Sequence, residues 1–288
     1  MTRKIQLITH AGTFHADEVM STALLYMIYK ERIDKVIRVN EVTDEMRNNP
    51  NNIIYDIGFG EFDHHQKGGN GQRANGIPYA SIGLLWKKFG RELCGDVNSE
   101  YVFEYVDKNI IQDVDAGDNG IFLDGGGEIA HIIKTFNPLW DSTKSHDDAF
   151  AEAVEFAKTF IEKTIEHAKG NAKAKDIILL AEKEQKDGIM VLDNFAPWAE
   201  WLTDENIEYV VFPSYRGGYA VQQTSFGRKF PEEWCKMDVS ELKNKLNLDT
   251  LRFCHNNGFF AATNSMEDAI MFARKAIDEN NKLSKKCH

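Results

Sequence analysis

Strand-like and helix-like segments alternate through the first half of the chain, and this limits the available folds more than any other feature. IQLITH (5–10) is a short, mostly apolar run ending in a histidine, as expected of a buried strand with something polar at its C-terminal tip. In ADEVMSTALLYMIYKER, which follows, Val19, Met20, Ala23, Leu24, Met27 and Ile28 recur at helical spacing. DKVIRVN and NNIIYDIG read as a second and a third strand, the latter ending at Asp56. IPYASIGLLWKKFGREL predicts an amphipathic helix starting near Ser81. SEYVFEYVDKNIIQDVDAGDNG predicts another that runs out at Gly117 or Gly120. The pattern predicts an α/β fold with a doubly wound, mostly parallel sheet, which binds its ligands at the carboxyl ends of the strands.

The character changes after residue 144. Residues 145–186 form a long charged helical stretch, read as a connector between domains. Beyond it, GIMVLD, IEYVVFPS and GYAVQQTS are strand-like, and MEDAIMFARKAIDENNKL is a closing helix. The expected organisation is a sheet domain over 1–144, the connector over 145–186 and a smaller α+β domain over 187–288. A chain of 288 residues has room for both domains.

The net charge of −11 argues against a long nucleic-acid-coating surface, and the imbalance lies almost wholly in residues 1–170. Four widely spaced cysteines (Cys94, Cys235, Cys254, Cys287) without a CxxC pair suggest neither a disulfide framework nor structural zinc. With no apolar run long enough to span a bilayer, the expected location is the cytoplasm, with no membrane partner. MTRKIQLITH reads as a first strand and is too short for a signal peptide. The sequence does not settle oligomeric state.

Polar residues gather at the predicted element ends. THAGTFHADE after the first strand holds His10, His15 and Asp17. Asp56 ends the third strand and precedes Asp63-His64-His65. QDVDAGDNG holds Asp113, Asp115 and Asp118. Singly, His10 and His15 could be caps or core histidines, Asp56 a turn residue and the later aspartates solvated helix-end acids. Acids are, however, disfavoured at a helix C-terminus. Four such sites in order favour a joint reading, the binding of two divalent metals. Mixed imidazole and carboxylate donors suit Mn²⁺, Zn²⁺ or Fe²⁺, with Mg²⁺ also possible, better than Ca²⁺. Asp56, a short side chain at a strand end, is the natural bridge, and two bridged ions would activate a water for phosphoryl displacement.

These motifs resemble the DHH phosphoesterase superfamily and, within it, the melanocyte-proliferating-gene family. The resemblance rests on THAGTFHADE (9–18), YDIGFGEFDHHQKG (55–68), IPYASIGLLW (77–86), VDAGDNGI (114–121), GRKFPEEW (227–234) and FCHNNGFFAATNSMEDAI (253–270). It implies a two-domain Mn²⁺-dependent phosphoesterase, similar to 3′–5′ RNA exonucleases. By position it implies His10, Asp17, Asp56 and His64 as ligands, His65 facing the substrate phosphate, and Asp115 or Asp118 completing the second metal site. His15 stands where many members carry aspartate, one residue further from His10. The superfamily's GGGH is replaced by FCHNNGF, with His255, Asn256 and Gly258 in the comparable place.

In the second half, Arg228 and Lys229 are candidate phosphate contacts that Arg216 and Arg252 could join; solvated surface cations are an equal reading. Trp198, Trp201, Phe259 and Phe260 could stack bases but read better as core. The GDNGIFLDGGG loop lacks the lysine of a P-loop. Three functions follow. The first is a metal-dependent phosphodiester hydrolase acting on short single-stranded RNA or small nucleotides, with Asp56, His65 and Arg228 at the reaction. The alternatives are a manganese-dependent pyrophosphatase and a non-catalytic metal-binding protein.

Overall fold

The computed structural model describes residues 4–121 and 123–286; Cys287 lies outside them. The chain forms two compact units divided between Ala172 and Lys173, each with its own core.

In the first unit β1 (Ile5–His10), β2 (Ile33–Val39) and β3 (Asn52–Ile54) make a parallel sheet in the order β2-β1-β3. The central place of β1 accounts for its largely apolar character: Leu7 and Ile8 are fully buried. Helix α1 (Ala16–Tyr29) returns the chain from β1 to β2. It is wider in burial than its apolar stripe predicts, because Asp17, Glu18, Ser21 and Thr22 are buried as well. A short α2 (Asp44–Asn48), capped by the Thr43 hydroxyl, leads to β3.

Helices α3 (Ser81–Phe89), α4 (Arg91–Cys94), α5 (Ser99–Val106), α6 (Gln112–Asp118) and α7 (Glu128–Lys134) complete most of this unit. The helix expected from residue 99 runs without a break to Asp118, with a π-helical turn at Asp107–Ile111 between α5 and α6. Such turns absorb one extra residue and re-aim the side chains after it.

Helix α8 (His146–Lys183) covers nearly all of the 145–186 stretch. Ala149, Ala153, Ala157, Ile161 and Ile165 lie in the first core with Tyr55 and Trp86, whereas Ala174 and Ile178 belong to a cluster of the second unit.

The second unit holds β4 (Ile189–Val191), β5 (Tyr209–Pro213), β6 (Tyr219–Gln223), β7 (Leu251–Cys254) and β8 (Phe260–Thr263) in the order β4-β5-β6-β8-β7. Only the β4–β5 pair is parallel. The β7–β8 hairpin, made of two four-residue strands, is absent from the sequence reading. Helices α9 (Glu232–Cys235), α10 (Val239–Leu246) and α11 (Met266–Lys286) pack on this sheet's core. Ala269, Phe272, Ala273 and Ala276 form the buried stripe of α11, at the i, i+3, i+4, i+7 spacing. The α/β class expected from the alternation is therefore present, as a parallel sheet in one unit and a mixed sheet in the other.

Candidate metal centre

Parallel pairing places the carboxyl ends of β1 and β3 side by side, so that His10 and Asp56 meet although 46 residues of sequence separate them. Asp56 has φ of +55°, a left-handed conformation that costs about 1–3 kcal/mol for a non-glycine residue. Its amide donates to the Phe62 carbonyl (3.0 Å), which pins the turn. The two Asp56 oxygens are divided: Oδ2 lies 3.4 Å from His10 Nε2, and Oδ1 lies 3.4 Å from His64 Nε2 and 3.6 Å from His65 Nδ1.

Donor atoms gather on each side of Asp56. His10, His15 and Glu18 form one group, and Asp17, Asp56, His64 and Asp118 another; within each, the candidate ligand atoms lie within 4.8 Å of one another. Asp56, His64 and His65 satisfy the same criterion. His64 Nε2 lies 2.9 Å from Asp118 Oδ2 and 3.9 Å from Asp17 Oδ2. Yet His64 Nε2, Asp56 Oδ1 and Glu18 Oε2 are all buried without a hydrogen-bond partner. Buried polar atoms left unbonded are costly, and donors converging without bonding to one another fit a cation between them.

The titration of these groups reflects crowded negative charge. Burial alone would lower the His10 pKa, but the facing carboxylates of Asp56 and Glu18 raise it to about 11. Burial opposes protonation of His64 too, and Asp118, Asp56 and Asp17 overcome it, again to about 11. Asp17 is held well above the usual carboxylate range by burial and by the charges of Asp56, Asp118 and Asp115. Burial pushes Asp56 upward as well, but His10 and His64 outweigh it and bring it to about 2. The cluster demands positive charge, which protons on two histidines or divalent cations can provide.

Above these groups lies a cleft of about 420 Å³ lined by His10, His15, Asp56, Phe59, His65 and Asp118. His65 is half exposed, and its Nδ1 is held 2.8 Å from Asp63 Oδ1. Asp63 is fully buried and also accepts from the amides of Phe59 (2.6 Å) and His65 (3.1 Å), so it organises the loop and stands back from the cluster.

Residues 6–277 match the family model MYG1_exonuc, described as an uncharacterised protein family (UPF0160). The chain belongs to that family. It is 27% identical to a MYG1 protein of Schizosaccharomyces pombe, over 96% of this chain and 99% of the relative. It is 25% identical to the MYG1 exonuclease of Homo sapiens, over 96% and 86% respectively. A MYG1 protein of Chlamydia muridarum is 28% identical, over 90% and 92%. No solved structure matches the chain.

In this MYG1-family chain Asp115 lies outside the donor groups. Helix α3 begins at Ala80 with no capping side chain of its own, and two carboxylates from elsewhere serve instead. The Ser81 and Ile82 amides donate to Asp17 Oδ2 and Oδ1 (2.9 and 2.6 Å), and those of Ala80 and Gly83 to Asp115 Oδ1 (2.9 and 3.1 Å). All four donors thus meet negative charge at the positive end of the helix. Asp115 also takes Arg73 Nη1 at 2.6 Å, while Arg73 Nε and Nη2 grip Asp107 at the π turn. Burial nevertheless raises Asp115 to about 7 against the pull of Arg73 and these amides. Asp113 accepts from the Gly127 amide, away from the cluster.

The second-unit candidates of this family member fall into two places. Arg228 makes a two-point contact with Glu208 (2.6 and 2.8 Å). Lys229 and the His255–Gly258 turn adjoin: the Phe230 amide donates to the Gly258 carbonyl, and a Cβ at Gly258 would lie 3.3 Å from Lys229 Cβ. Arg216 and Arg252 are joined by a guanidinium contact to the Arg216 carbonyl. Trp198 is buried, and Trp201 and Phe260 pack against the same cluster; Phe259 is partly exposed and lies 4.4 Å from the His255 ring.

Sequence reasoning passed over Glu18, Arg73 and Gly83. Glu18 follows Asp17 directly, but a first-turn helix acid has an ordinary explanation in the helix dipole. Among the described residues no helix is long and apolar enough to cross a membrane.

Proposed function

We propose that this chain is a two-metal phosphodiester hydrolase, a 3′–5′ exonuclease acting on short single-stranded RNA, with Mn²⁺ as its metal and the cytoplasm as its location. The observation that carries this reading is the division of the Asp56 oxygens between two donor groups. His10 and His15 would hold one ion, Asp17, His64 and Asp118 the other, and Asp56 both. The printed names of the human and bovine relatives, MYG1 exonuclease, support the same reaction class. When bound, two divalent ions supply Lewis acidity toward a phosphoester and an attacking water.

The protein's own groups do the rest. Asp63 accepts from Nδ1 of His65, which leaves Nε2, when it carries a proton, as the ring nitrogen that can donate to a phosphate oxygen at the cleft. The left-handed turn at Asp56 and the capped start of α3 hold Asp56 and Asp17 in place before substrate arrives, so no reorganisation is needed during reaction. In the second unit Lys229, His255, Asn256 and Gly258 are assigned to the substrate backbone. Arg228 is assigned with them, in exchange for its partner Glu208. A pyrophosphatase would need a dense cationic cluster to hold a small tetraanion, and Arg228 with Lys229 is a thin version of one.

The test is metal-stripped protein with a 5′-labelled short RNA, with and without Mn²⁺, and with pyrophosphate in parallel. Stepwise shortening that requires Mn²⁺ is expected, and Asp56→Ala should reduce it by at least about 10²–10³-fold. Undiminished Mn²⁺-dependent turnover by Asp56→Ala would refute the mechanism. Phosphate release without RNA products would move the assignment to pyrophosphate.

A further inference from the structure

We propose that Glu18 is a metal-holding residue of the His10–His15 group, an inference that rests on the metal reading above. Glu18 lies in the first turn of α1 with no exposed surface. Its Oε1 accepts from the His15 amide at 2.9 Å and lies 2.9 Å from His10 Nε2. A capping role explains Oε1, but it does not explain Oε2, which is buried without a hydrogen-bond partner. A capping glutamate ordinarily leaves its second oxygen to water, whereas a carboxylate sealed from solvent needs a counter-charge.

The tautomer of His10 strengthens the inference. His10 Nδ1 is 3.1 Å from the Ala11 carbonyl, an atom that can only accept, so Nδ1 carries the hydrogen. In the neutral ring Nε2 is then a lone-pair nitrogen, and it faces Glu18 Oε1 at 2.9 Å and Asp56 Oδ2 at 3.4 Å. Three electron-rich atoms so placed call for positive charge among them, a proton on Nε2 in the metal-free protein or a metal ion in its place. A metal ligand whose other nitrogen is fixed by a backbone carbonyl is a common way to hold an imidazole in register.

Charge balance points the same way. The Asp17–His64–Asp118 group has two carboxylates of its own besides its share of Asp56. Without Glu18 the His10–His15 group would have none, and its two imidazoles would hold a dication with only half of Asp56 for compensation. With Glu18 each group carries at least one full negative charge. The resulting nitrogen and oxygen donor set suits Mn²⁺, Fe²⁺ or Zn²⁺.

The test is calorimetric titration of Mn²⁺ into the metal-stripped full chain, with electron paramagnetic resonance of the loaded samples. Wild type should bind two ions and give an exchange-coupled spectrum. Glu18→Gln, which keeps the size and the acceptor for the His15 amide, should weaken one ion by about tenfold or more. The other ion should be nearly unaffected, and one equivalent should give a mononuclear spectrum. Asp118→Asn should weaken the second ion instead, so the double variant loses both. Two ions bound by Glu18→Gln as tightly as by wild type would overturn the proposal while leaving the metal reading intact. A wild type that binds no Mn²⁺ would overturn the metal reading and the proposal with it. If Glu18→Gln does not fold by circular dichroism, Glu18→Asp decides. It keeps the charge one methylene short and should show the same weakening; unchanged binding of both ions would overturn the proposal.

Discussion

Replacing Gly83 by alanine should cost this protein stability, although alanine is the better helix former. A Cβ at residue 83 would lie 2.0 Å from Asp115 Oδ2 and 2.7 Å from its Cγ, closer than any real contact. The carboxylate cannot withdraw freely, because it is buried and holds the Ala80 and Gly83 amides and Arg73 Nη1 at 2.6 Å. Weakening one charge-assisted bond in that set costs about 1.5–3 kcal/mol. Overpacking adds roughly 1–3 kcal/mol, and the helix propensity of alanine over glycine offsets about 1 kcal/mol. The net expectation is a loss of roughly 1.5–5 kcal/mol. Gly170→Ala in α8 is the matched control, since nothing lies within 4 Å of its Cβ and it should stabilise by up to about 1 kcal/mol. Urea unfolding of the metal-free protein gives the stability change, and hydrogen exchange across α3 reports the first unit separately. Gly83→Ala should speed exchange at Ala80–Gly83. If it shifts the midpoint upward, as Gly170→Ala should, the packing argument is wrong.

Two other predictions concern charge. His10 and His64, raised from 6.5 to about 11, stabilise the metal-free fold fully below about pH 6.5, and this contribution is lost as pH rises through about 11. A divalent ion must displace those protons, so Mn²⁺ affinity should rise with pH by about tenfold per unit for each proton released. Calorimetry in buffers of different ionisation enthalpy measures the release; no protons released near pH 8 would contradict the convergence of Nε2 atoms on the ions. Separately, Arg73→Met should cost about 3–5 kcal/mol by removing the counter-charge of the buried Asp115 and of Asp107. Arg73→Lys should recover only part of this, because a single ammonium cannot grip two carboxylates from one fork. A urea midpoint within about 1 kcal/mol of wild type for Arg73→Met would refute the role of this pair of contacts.

Much of the first unit could be read from its pattern, because burial on both faces leaves a strand no polar positions to alternate. The apolar residues of IQLI, interrupted only by Gln6, and the central place of β1 are two views of one constraint. Parallel connections return every strand in the same direction, so residues that follow β1 and β3 must lie at one sheet edge. That is why the proximity of His10, Asp17, Asp56 and His64 follows from order alone. The π turn did not, since residues 99–118 carry one helical rhythm and the extra residue is paid for by the Arg73–Asp107 contact across the fold. The four-residue strands β7 and β8 escaped because so short a run, FAAT without any alternation, is ambiguous between strand and helix.

By itself the sequence determined which chemistry the chain can hold, because imidazoles and carboxylates are covalent facts and their spacing places them at element ends. Only the tertiary structure decided how they are shared out. Asp115 and Asp118 are three residues apart on one short helix, yet one faces the α3 amides and Arg73 while the other faces His64. Glu18 likewise differs from an ordinary helix-start acid only because the fold seals its second oxygen from water. Such distinctions arise from what packs against a side chain across long sequence separations, and local pattern carries no record of it.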